Sequence, residues 1–149
     1  ADGARRHWHR LGRGRMQCPE AVRAVKDVRA RYDWPVVIED VSNSKPLIQQ
    51  LRRELWGVIP FKLEGRSKWA RAEAASPAHE AGDWFLPEGA GWPDGFIEAH
   101  APAAGGQFGK HDDMVDTTSM MHLYFSKRAR RAAPSGMRVW ERGLERVSA

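Results

Sequence analysis

The run Val36-Val37-Ile38-Glu39-Asp40 constrains the fold of this chain more than any other segment. Three β-branched residues ending in two acids, with helix-periodic segments on both sides, read as a buried strand of an α/β layer fold. Its carboxyl end would open into a site, where open α/β sheets bind their ligands. On the amino side, Val22, Val25, Val28 and Tyr32 recur at helical spacing behind Pro19, which predicts an amphipathic helix over Pro19 to Arg31. On the carboxyl side, Ser42-Asn43-Ser44 offers capping side chains to a helix with Pro46 in its first turn. Leu47, Ile48, Leu51 and Leu55 share one face of that helix, and Gly57 closes it. Ile59, Phe61 and Leu63 alternate as in a half-buried strand, which Pro60 restricts to an edge or a short segment.

The remaining segments fit the same alternation. Ala4 to Arg15 mixes His, Arg and Trp around Gly12 and Gly14, consistent with an exposed hairpin or strand pair with a basic face. The alanine-rich stretch from Lys68 to Ala81 should be a helix, kinked or split by Pro77 and ended at Gly82. Asp83 to Leu86 then reads as a strand. Ala101 to Gly109 is a loop by composition, and it leads into a helix starting at Asp112 with apolar positions Met114, Val115, Met121, Leu123, Tyr124 and Phe125. After Ser126, Lys127-Arg128-Ala129-Arg130-Arg131 and Pro134-Ser135-Gly136 suggest a loosely held basic tail. The expectation is one domain over residues 1–126, with helices flanking a central mixed sheet, and a tail over 127–149. No internal repeat or heptad pattern is present.

A chain of 149 residues with 42% hydrophobic content suffices for one core, and a net charge of +5 favours a polyanionic partner. The single cysteine, Cys18, excludes an internal disulfide. Neither a charged-then-apolar leader nor a bilayer-length apolar run occurs, so an intracellular, reducing setting without a membrane is expected. The start at Ala1, inside a polar hairpin, suggests a piece cut from something longer.

The run His111-Asp112-Asp113-Met114-Val115-Asp116 supplies acids distant in sequence from Glu39 and Asp40. Asp113 and Asp116, three residues apart, share one helix face. Taken singly, each acid has an ordinary explanation: helix capping and the helix dipole for Asp112 and Asp113, loop acids for Glu39 and Asp40. Together they suit two-metal phosphodiester hydrolysis, in which paired Mg²⁺ or Mn²⁺ ions activate a water and stabilise the leaving oxygen. These hard ions need only a few carboxylates beside water and phosphate, and Glu39, Asp112 and Asp113 would provide most of them. Lys68 and Arg71, one turn apart, either grip backbone phosphates or form a solvated basic face. His111 either packs its loop or stands near the attacking water. His7 and His9 read as surface groups. Trp56, Trp69, Trp84 and Trp92 read as core or rim residues, with base stacking the alternative.

With these residues in hand, the chain resembles, from about Gly12 to Phe125, the C-terminal nuclease domain of a tailed-phage terminase large subunit. The matching pieces are Val37 to Ser44, in which an apolar strand ends in an acid before a small-residue loop, and then Gly65, Lys68, Arg71 and Ala72. Gly82-Asp83-Trp84-Phe85-Leu86-Pro87, an acidic helix with Glu98, and Phe108 to Asp116 complete the order. The resemblance implies an RNase H-like fold and metal-dependent endonucleolytic cutting of concatemeric phage DNA in the cytoplasm of a bacterial host. Glu39, Asp112 and Asp113 would then be catalytic metal ligands, with Asp40 and Asp116 as further candidates and Mg²⁺ or Mn²⁺ as the ions. Lys68, Arg71 and Lys110 would contact double-stranded DNA, and His111 would support the ligands. The wider partners implied are the terminase ATPase domain, the small terminase subunit and the portal. The family's first catalytic aspartate lies on a strand upstream of the hairpin, so the domain is expected to be N-terminally truncated. Asp2, in an Asp-Gly turn context, is not assigned that role. Two other readings stay open: a non-catalytic DNA-binding or assembly module, as in a prophage remnant, and an RNase H-like resolvase or recombinase fragment.

Overall fold

The computed structural model describes residues 5–63, 65–104 and 113–132. In chain order these form β1 (Arg6–His7), α1 (Cys18–Arg31), β2 (Val36–Glu39), a short 3-10 helix (Ser42–Ser44), α2 (Lys45–Glu54) and β3 (Val58–Phe61). Then follow α3 (Lys68–Glu80), β4 (Trp84–Phe85), α4 (Pro93–Ala104) and α5 (Asp113–Ala132). Among the described residues, no helix is long and apolar enough to cross a membrane.

Local chemistry sets the helix ends. Pro19 stands in the first turn of α1, and the Glu20 carboxylate accepts the Gln17 backbone N–H at 2.9 Å. Ser67 caps α3, its hydroxyl oxygen accepting the Ala70 N–H at 3.2 Å. Gly82, at φ +71°, takes the left-handed conformation that terminates α3, and its N–H bonds the His79 carbonyl. Pro77 does not split α3 into separate elements: it lies in the last turn of one continuous helix.

β2 and β3 pair in parallel, Val36 with Val58 through Glu39 with Phe61. Side chains alternate across the pair, so Ile38 and Val58 share one face while Glu39 and Phe61 share the other. The first face is covered by α1 and α2, in a core of Val22, Leu51 and Val58 with Cys18, Val25, Ile38, Leu47 and Leu55 packed around it. The second face meets α5: the Phe61 ring lies 6.1 Å from Tyr124, edge-on, and Lys127 Nζ stands 5.0 Å over it. α5 also packs along α3 and α4, where Ala75, Phe96, Val115, Thr118 and Ser119 are buried. The two polar side chains there are satisfied, Ser119 by donating to the Val115 carbonyl at 2.7 Å and Thr118 by His100.

Several expectations are corrected. The first strand does not form a hairpin among the described residues; it pairs in parallel with β4, Arg6 with Trp84 and His7 with Phe85. Among the described residues the strands make two parallel pairs, within the expected α/β arrangement of strands and flanking helices. The stretch expected as a loop from Ala101 is helical through Ala104 despite Pro102, and α5 continues through the basic residues after Ser126. Arg130 and Arg131 in its last turn suit the negative end of the helix dipole.

Candidate functional site

Glu39 closes β2, half-buried, on the sheet face that meets α5. The turn behind it is fastened by one side chain. Ser44 Oγ donates toward the carbonyls of Glu39 (2.5 Å) and Val41 (2.9 Å) and accepts the Val41 N–H at 3.1 Å. Asp40 extends the ladder by one bond, its N–H donating to the Phe61 carbonyl at 2.9 Å. The Ser42-Asn43-Ser44 run read as a cap thus holds the acidic strand end in place.

Asp113 opens α5 and is exposed, and its backbone carbonyl accepts the Thr117 hydroxyl at 2.8 Å. One turn on, Asp116 is clamped by α3: Oδ1 accepts from an Arg71 terminal nitrogen at 2.7 Å and Oδ2 meets Lys68 Nζ at 2.8 Å. The other terminal nitrogen of Arg71 donates to the Arg66 carbonyl at 2.8 Å, so the guanidinium spans the helix start and the acid. Lys68 and Arg71, two of the cations expected to grip phosphate, are therefore engaged with an acid that was itself a ligand candidate. The trio carries one net positive charge at the start of α5. Asp112, His111 and Lys110 lie outside the described residues.

The donor chemistry of Glu39 and Asp113 suits a hard divalent cation, which takes oxygen ligands and usually keeps several waters. Among the described residues, no cluster of three or more His, Cys, Asp or Glu side chains forms that could hold a metal. The geometry also separates two contacts of α5. Its start is fixed to α3 through Asp116, whereas Tyr124, which touches the partner strand of Glu39, lies eleven residues beyond Asp113. That is about 16 Å along the helix axis.

Sequence reasoning missed an aromatic centre. A cleft of about 740 Å³ between α3, α4 and α5 is lined by Trp8, Trp69, Trp84, Phe96, His79 and His100 among others. None of Glu39, Asp40, Asp113 and Asp116 lines it, and its walls are chiefly apolar, so these acids do not act there. His100 bridges its helices: Nδ1–H donates to the Phe96 carbonyl at 2.7 Å, which leaves Nε2 to accept the Thr118 hydroxyl at 3.0 Å. Burial, and secondarily the nearby His79, pushes the His100 pKa below its ordinary value despite the Phe96 carbonyl. His122 is shifted the same way by burial, then by Arg6 and His79. The sequence signal for this centre was Trp69 and Trp84, read as core or rim residues, with nothing to show that they meet Trp8, Phe96 and the histidines.

A family model described as a terminase RNaseH-like domain matches residues 6–125. No curated protein and no solved structure matches the chain. The match spans most of the chain, covering β1 through the part of α5 that holds Asp113, Asp116 and Tyr124. This chain belongs to the terminase RNaseH-like family and is a phage terminase nuclease-type domain with an RNase H-like fold.

Proposed function

We propose that this domain cuts DNA during phage genome packaging by metal-dependent phosphodiester hydrolysis, with Glu39, Asp112 and Asp113 as the catalytic carboxylates. The observation that carries the reading is the family match across residues 6–125, in which Glu39 ends a parallel strand and Asp113 opens the last helix. Bound Mg²⁺ or Mn²⁺ would supply an activated water and charge neutralisation at the leaving oxygen. Asp40 and Asp116 are secondary candidates, and Asp116 would act chiefly by holding Lys68 and Arg71. Those two residues, with Lys110, would face the phosphates of double-stranded DNA, and the net positive charge of the trio supports that role. His111 would steady the neighbouring acids. In the whole protein the partners would be the ATPase domain, the small subunit and the portal.

The test is nicking of supercoiled plasmid with Mn²⁺ or Mg²⁺ by the chain and by Glu39→Ala and Asp113→Ala, each verified as folded. Metal-dependent nicking that both substitutions abolish supports the assignment. Nicking that survives either one removes that residue from the machinery, and a folded chain that binds DNA without cutting it under any metal rejects catalysis by this chain.

A further inference from the structure

The opposite end of the β2/β3 pair carries a second, unassigned surface. α1 and α2 both end there, and the two loops that lead into the strands present Tyr32, Trp34 and Trp56. Trp56 is 64% exposed and Trp34 is 48% exposed, which is unusual for residues of this size. They are not loosely placed. The Arg29 side chain, only 7% exposed, donates to the Trp34 carbonyl while its guanidinium lies 4.5 Å from the Trp56 ring centroid. Tyr32 stacks on Trp34 at 4.5 Å and 18°, and His9 adds a third ring 5.1 Å from Trp34. The loops are joined by the Val36 N–H, which donates to the Gly57 carbonyl, and Gly57 holds φ +70° against Pro35.

The charge around these rings is positive. Arg31 and Arg53 lie in the last turns of the two helices and Arg10 follows His9, all exposed. The acids nearby are engaged: Asp33 with Arg29 at 3.2 Å, and Glu54 with Lys26 at 2.6 Å. Exposed flat rings set rigidly among arginines match a ligand that offers both π-faces and phosphates. Duplex DNA offers phosphates but keeps its base faces stacked inward. A protein partner could use the rings and arginines only by presenting apolar and acidic groups together, whereas one strand of unpaired nucleotides carries both a π-face and a phosphate at every step.

We propose that Trp34 and Trp56, set by Arg29, form a stacking platform for unpaired bases of single-stranded nucleic acid. It lies beyond the opposite end of β2 from Glu39, a strand whose four residues span about 10 Å. The inference does not depend on the cutting reading, and its test runs in EDTA so that cleavage plays no part. The whole 149-residue chain is titrated with a labelled oligothymidylate about 12 nucleotides long, and with a blunt duplex of the same length. Tryptophan emission should be quenched by the single strand, which should bind more tightly than the duplex. Trp34→Ala and Trp56→Ala should each weaken single-strand binding about fivefold or more, the loss of one stacked base, while Trp56→Phe retains most of it. Circular dichroism melts establish that the variants are folded, and quenching of the parent chain stands as a readout without them. Equal affinity for the duplex, absence of quenching, or folded alanine variants that bind like the parent would each overturn the platform. A surface built for a protein partner would give those negative results.

Discussion

At the scale of single residues, the decisive arrangement is Asp116 between Lys68 and Arg71. An acid on the face of Asp113 invites a reading as a metal ligand, yet both of its oxygens are occupied by cations from α3. The value of this trio lies mostly with Arg71, whose side chain is 12% exposed, against 35% for Lys68. Removing the acid leaves a nearly buried guanidinium without its counter-charge, whereas the exposed ammonium is rehydrated at little cost. Asp116→Ala should therefore lower stability by about 2 kcal/mol and Lys68→Ala by less than about 1 kcal/mol. Urea denaturation of Asp116→Ala, Arg71→Met and the double variant would check it. The double variant should lose less than the sum of the singles, and strict additivity would show that the pair contributes nothing. The one-turn spacing of Lys68 and Arg71 was legible in the sequence because helix geometry is local. Their engagement was not, because the partner acid is 45 residues further on and only the packing of α5 on α3 brings it there.

At the scale of elements, legibility followed the range of the forces involved. α1, β2, α2 and β3 were readable because each writes its own period, and the core they form, Val22, Leu51 and Val58, falls on the expected faces. Leu51 is fully buried, so Leu51→Ala should lower stability by about 2–5 kcal/mol in equilibrium unfolding, and a loss below about 1 kcal/mol would mean that α2 does not pack on the sheet as described. β1 was unreadable as a parallel partner: two residues carry no period, and the backbone bonds and the cation–π contact that join Arg6 to β4 are made far along the chain. The end of α4 was misread because alanine and proline composition was taken as loop. Alanine in fact favours the helix, and Pro102 falls within its last turn. Thr118 and Ser119 were likewise absent from the expected core, since a polar side chain is buried only where a partner meets it, here His100 and the helix's own carbonyl. The acids of the site were legible one by one, Glu39 from the strand that it ends and Asp113 from the helix that it opens. Their mutual placement depends on how α5 crosses the sheet, which no local pattern encodes.

At the scale of the whole molecule, the aromatic centre joins α3, α4, β1, β4 and α5, and it makes the fold sensitive to acid. His79, His100 and His122 stand around Trp84 and Phe96 with Arg6 close by, and Glu73 and Glu80 line the same cleft from α3. His100 and His122 both hold pKa values below 6.5, chiefly because burial penalises the charged ring. The sign of the linkage follows. Well above pH 6.5 both rings are neutral in the folded and unfolded chains, so the full stability is present. As pH falls below that value, the unfolded chain binds protons that the folded rings refuse. Stability therefore declines until the lowered pKa values are themselves passed. The urea midpoint should accordingly be lower at about pH 5.5 than at about pH 7.5, and a His100→Gln, His122→Gln double variant should show a flatter dependence even if its neutral-pH stability is reduced. A residual slope is expected, because a chain already at +5 gains further positive charge on acidification and repels itself. That background acts through solvent and is suppressed by salt, whereas desolvation of buried rings is not. Repeating the comparison at high salt separates the two: a slope that salt removes, or one that the double variant keeps in full, would assign the acid sensitivity to overall charge and not to this centre.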